Sequence, residues 1–86
     1  MNTVAKVTFE IDSAENMFLV QDEFFEAASE LGFVVRGSIK SEFIEDSKKL
    51  AKEIADKNNT KATMTVYGAN DRFQFDKSDV KDVFEI

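Results

Sequence analysis

The 86 residues include no cysteine, histidine, proline or tryptophan. Each absence closes off some chemistry. Without cysteine there is no disulfide, no thiolate metal site and no thiol nucleophile. Without histidine the commonest general base and the commonest metal ligand are both missing. Glycine is scarce. Its three positions, 32, 37 and 68, are too far apart to build a phosphate-cradling loop. The G-x-S-x-G turn that exposes a nucleophilic serine is also missing. Long apolar runs are lacking too. The longest, Met17 to Val20, falls far short of the roughly 20 residues a membrane helix needs. The stretch from Met1 to Glu10 has one lysine and no signal-peptide core, which points to the cytoplasm of a cell or of an infected host.

What is present describes a small globular domain. The chain is 43% hydrophobic and 33% charged, a balance that favours folding over disorder. Its length allows one domain spanning 1–86. A domain this small buries only about 60–65% of its unfolded surface. Its apolar core, or an oligomer, must therefore supply the stability. Nine phenylalanines are the main stock for that core. Each contributes roughly 1.5–3 kcal/mol when fully buried.

Val4 to Ile11 alternates, which predicts a strand with Val7, Phe9 and Ile11 inward. Asp12 and Ser13 offer a helix cap, with Glu15 completing a capping box from Asp12. Met17, Val20, Phe24, Ala28 and Leu31 then recur at steps of three and four, on one face of a helix that Gly32 ends. Phe33 to Arg36 is a short β-type run, and Gly37-Ser38 reads as a turn. Ile39 to Ile44 is read as a strand, with Asp46 capping a second helix from Ser47 to about Asn58. The other reading starts that helix at Glu42, capped by Ser41. Leu50, Ala51, Ile54 and Ala55 form its inner face, and Glu53 lies four residues before Lys57, a favourable pair. Lys61 to Tyr67 alternates again. Gly68 to Asp71 forms the hairpin loop, and Arg72 to Phe75 returns with Phe73 and Phe75 on one side. Ser78 is placed to cap a last short helical turn carrying Val80, Val83 and Phe84, with a strand as the alternative.

The order β-α-β-β-α-β-β predicts an α+β two-layer sandwich, with two helices on one face of a mainly antiparallel sheet. Its first six elements follow the split order of a ferredoxin-like fold. If residues 39–44 are helical, the order becomes β-α-β-α-β-β, still in two layers.

Nothing in the chain assembles as a catalytic group, and no cofactor or metal is called for. Carboxylate pairs such as Glu23 with Glu26, or Asp79 with Asp82, read as solvated surface. Asn70, Asp71, Asp76, Asp79 and Asp82 cluster, but without the D-x-[DN]-x-[DN]-G order of a calcium loop. They read as a polar hairpin tip. Charge layout says more. Residues 1–35 carry a net −6, residues 36–61 a net +2 and residues 62–86 a net −2.

The first helix is thus an acidic rod with more apolar residues than one core stripe uses. At 100° per residue, Phe18 and Phe25 fall about a quarter turn off that stripe, and Leu19 falls among the acids. Glu15, Phe18, Leu19, Asp22, Glu23, Phe25, Glu26 and Glu30 are therefore the candidate partner-binding residues. An aromatic patch ringed by acids suits a protein partner with a basic surface. Lys48, Lys49 and Lys52 on the second helix form the alternative, basic surface. Acids are interspersed there and the chain is negative overall, so direct nucleic-acid binding is disfavoured. The expected function is a non-enzymatic protein-binding module. The alternative is a homodimeric structural or ligand-sensing subunit. In size, acidity and lack of cysteine the chain resembles inhibitors encoded by phages and mobile elements, anti-CRISPR and other anti-defence proteins among them. That resemblance implies an inhibitor that covers a basic site on a host protein.

Overall fold

A computed structural model describes residues 2–86. The elements are β1 (Asn2–Phe9), α1 (Ala14–Glu30), β2 (Val34–Val35), β3 (Ser38–Lys40), α2 (Ile44–Lys57), β4 (Ala62–Ala69) and β5 (Phe75–Glu85). A 3-10 turn, Ser41–Phe43, joins β3 to α2. The sheet runs β2-β3-β1-β4-β5, and every pairing is antiparallel. This is the expected α+β sandwich: its first four strands keep the ferredoxin-like arrangement, and β5 is added beyond β4.

Alternation along β1 sets the two faces. Ala5, Val7 and Phe9 point toward the helices and join Val20, Phe24, Ala28, Ile39, Ala51, Ile54, Ala55, Ala62, Met64 and Val66 in the core. Phe9 and Phe24 meet edge to face with ring centroids 5.9 Å apart, a favoured aromatic geometry. On the opposite face Val4 is also fully buried. Beside it Tyr67 packs on Phe75, and Lys6 lies 5.1 Å from the Phe75 ring centre. Tyr67 is thus outward on its strand, as its position in the alternation requires.

Both helices end on αL caps. Gly32, at φ +80°, donates to the Ser29 carbonyl, and Phe33 donates to that of Ala28. Asn59, at φ +52°, does the same toward Asp56, with Thr60 reaching Ala55. These paired bonds satisfy carbonyls that the helix leaves open. The β2–β3 hairpin turns through Arg36 and Gly37, both at positive φ. That is the two-residue form whose twist matches the strands.

Several expectations are corrected. The cap of α1 is Ser13, whose Oγ accepts from the Asn16 amide, and not Asp12. Leu31 lies one step past the helix and is exposed rather than inward. Residues 39–44 divide between the two readings: Ile39 and Lys40 end strand β3, a 3-10 turn follows, and the helix starts at Ile44, so Asp46 sits in its first turn and is not its cap. β4 runs on through Gly68 and Ala69. Gly68 lies inside this strand, where an added side chain would meet the carboxylate end of Asp79 on β5. The loop is Asn70–Gln74, with Phe73 in it at φ +59° and therefore not paired with Phe75 in a strand. The chain ends as an eleven-residue strand instead of a helical turn.

Candidate functional site

α1 carries five acids, Glu15, Asp22, Glu23, Glu26 and Glu30, and no base. Its inner stripe buries Val20, Phe24 and Ala28. The surplus apolar residues face solvent: Phe18 is 63% exposed, Leu19 67% and Phe25 42%.

The candidate residues separate around the helix. Phe18 and Phe25 are seven residues apart, two turns along nearly the same line. Together with Gln21 and Asp22 they line a groove of about 270 Å³. Its other wall is Ala5, Lys6 and Val7 of β1 with Gly37, Ser38 and Ile39 of the hairpin. Leu19 lies on the opposite flank and lines a separate cleft with Ile11, Asn16 and the Asn58–Thr60 loop. Glu15, Asp22 and Glu26 run exposed between the two flanks. Glu30 is exposed at the helix end.

Glu23 does something different. Its Oε2 accepts a 2.8 Å hydrogen bond from Lys57 Nζ, which ties α1 to α2. That hydrogen bond, with the attraction of the Lys57 charge, holds the Glu23 carboxyl below its ordinary pKa against a smaller opposing effect of burial. Lys57 is therefore engaged across the helix pair and not with Glu53, its expected partner.

The basic alternative is partly consumed within the fold. Lys48 Nζ lies 3.4 Å from the centre of the Phe84 ring and 3.1 Å from Glu45 Oε1. Lys52 Nζ is 3.7 Å from Asp56. Lys49 is exposed and makes no ion pair among the described residues. Lys48 in particular acts as a strut between α2 and β5, since a cation over a ring is held by the ring's quadrupole.

The late polar cluster is used locally. Asn70 Oδ1 accepts from the amides of Arg72 and Gln74, which shapes the hairpin loop. Asp76 Oδ1 accepts from the amide and the hydroxyl of Ser78, and these bonds lower its pKa. Asp79 pairs with Lys81 at 3.1 Å, and Asp82 accepts from the Val83 amide.

Sequence reasoning missed the β1 wall of the groove. Its cause is the shortness of β3, which covers only Val4 and Ala5 of β1, whereas β4 pairs with β1 from Asn2 to Phe9. The one signal for it in the sequence is the Arg36-Gly37 pair, where the hairpin turns away. No helix of the described residues is long and apolar enough to cross a membrane. No protein-family profile, curated protein or solved structure matches the chain.

Proposed function

We propose that the chain is a non-enzymatic protein-binding module that docks a basic surface of another protein through α1. Phe18 and Phe25 act as apolar anchors beside Asp22, Glu15 and Glu26. The observation that carries this reading is the exposure of two phenylalanines at the mouth of a groove, on a helix with five acids and no base. Aromatic anchors surrounded by charge concentrate binding energy, while the charge steers approach and fixes orientation. On this reading the protein works in the cytoplasm as an inhibitor of the kind phages and mobile elements encode, covering a basic site on its target.

The test starts with affinity capture from the native host and identification of the captured protein by mass spectrometry. Its affinity is then measured for the wild-type chain and for the Phe18→Asp, Phe25→Asp double variant. The expected outcome is at least a tenfold loss with the fold retained by circular dichroism, and release of the wild-type complex as salt rises. Unchanged affinity in the double variant rejects the surface. Binding indifferent to ionic strength rejects the electrostatic part.

A second reading, a homodimer, is favoured by Val80 and Val83. They stand 48% and 54% exposed on the edge strand β5. Light scattering across a concentration series decides it: a monomer throughout removes this reading and leaves the first intact.

A further inference from the structure

The hydrogen-bond direction along β1 can be worked out from one bond in the hairpin. The Lys40 amide donates to the Phe33 carbonyl, so Lys40 faces β2. Its neighbour Ile39 must then face β1, where it stands opposite Ala5. Strand alternation next directs the N–H and C=O of Val7 and Phe9 to the same side as those of Ala5. The groups of Lys6 and Thr8 turn to β4.

On the Val7–Phe9 side the described residues supply no strand, because the chain has already turned at Gly37. One long side-chain hydrogen bond reaches it, with the Gln21 Nε2 donating to the Val7 carbonyl at 3.5 Å. A buried strand thus has backbone groups facing a gap, although such groups are almost always paired. Val7 and Phe9 are only 8% and 3% exposed. Ser38, which also lines the groove, is buried, and its hydroxyl has no hydrogen-bond partner among the described residues.

The other sheet edges are guarded differently. β2 is two residues long. β5 carries Asp76, Lys77, Asp79, Lys81, Asp82 and Glu85, and charge along an edge strand opposes strand addition. The gap beside β1 is instead flanked by Phe18 and Phe25. Its volume is about 270 Å³. It suits the side chains of a passing segment.

We infer that the open edge of β1 at Val7–Phe9 accepts an extended segment of a partner protein as an added strand, whose helix-facing residues, every second one, set apolar side chains against Phe18 and Phe25 and a longer basic one toward Asp22 at the groove's rim. The inference rests on the proposed binding role of α1 and names the form of its partner. Main-chain pairing gives such a complex its affinity, and the flanking pockets give it selectivity. The span from Val7 to Phe9 is about 10 Å of strand. Three or four residues of the segment therefore fill it in line with β3.

The test has two arms. In the free protein, amide exchange followed by NMR should run at least tenfold faster at Val7 and Phe9 than at Lys6 and Thr8, which bond to β4. Equal protection at all four means the edge is already closed and overturns the inference. In the second arm a random ten-residue display library is selected on the wild-type chain against the Phe18→Asp, Phe25→Asp double variant. The expected winners carry both apolar residues and a Lys or Arg among the alternate positions that face α1, and slow exchange at Val7 and Phe9 at least tenfold. N-methylation of alternate peptide amides should abolish their binding in one phase and spare it in the other.

Three results overturn strand addition. The first is winners that bind without protecting Val7 and Phe9, which leaves the α1 reading standing. The second is no winner that prefers the wild-type chain, which removes both. The third is protection that appears in the protein alone as concentration rises, with a doubled mass in light scattering. That assigns the edge to a second copy of the chain.

Discussion

Phe18 and Glu23 sit five residues apart on one helix, yet their surroundings differ. Phe18 gains nothing for folding by standing 63% exposed. Glu23 is spent on the fold through Lys57. The sequence separates them only in part. Phe18 and Phe25 could be read as surplus because a helix has a fixed period and the core stripe was already filled. The role of Glu23 was hidden because its partner is 34 residues away and nothing local marks the pair. The pair has a testable signature. A carboxyl whose pKa is lowered by folding adds stability above its unfolded pKa, and that stability is lost as pH falls through the folded value. Both side chains are more than a third exposed, so solvent screens the interaction. Glu23→Gln should cost only about 0.2–1 kcal/mol at neutral pH. Urea denaturation of both proteins should show that difference closing as the solution is acidified through the carboxylate range.

At the scale of elements, β1, α1 and β4 were legible because each keeps one period over eight residues or more. β5 was not. Its Val80, Val83 and Phe84 fit helical spacing, and the alternation that would mark a strand is broken where the register slips between Val66 and Tyr67, leaving Lys81 out of the ladder. The start of α2 was obscured for another reason. A three-residue strand followed directly by a 3-10 turn leaves too few residues for any period to show. The β2–β3 turn is an element whose chemistry is only half right. Gly37 meets the positive-φ requirement freely, while Arg36 adopts φ +49° at a cost. Asparagine tolerates that region and is favoured at this turn position. Arg36→Asn should therefore raise stability by about 0.5–1 kcal/mol. The expected record is a higher urea midpoint with an unchanged slope.

Across the whole molecule, charge is arranged against the stability of the isolated chain. The net charge is −6, and α1 concentrates five acids without a base. Asp22, Glu26 and Glu30 follow at intervals of four, the spacing at which like charges meet on a helix. Glu30 is the last residue of α1, where the helix dipole is already negative. Repulsion within this row, and of the row with the dipole, costs the free protein stability, and a basic partner would relieve it. Glu26→Gln with Glu30→Gln should therefore stabilise the isolated domain by about 0.5–1.5 kcal/mol at low ionic strength. Near 1 M salt, where the screening length shrinks to about 3 Å, most of that gain should vanish. Denaturation of wild type and variant at the two salt concentrations measures it. The same variant should bind the captured partner more weakly and with a shallower salt dependence. A domain that becomes sturdier as it loses its ligand is the outcome expected when carboxylates are retained for recognition at the expense of stability. If the variant is no more stable than wild type at low salt, the row is already screened in the free protein, and its acids carry no such conflict.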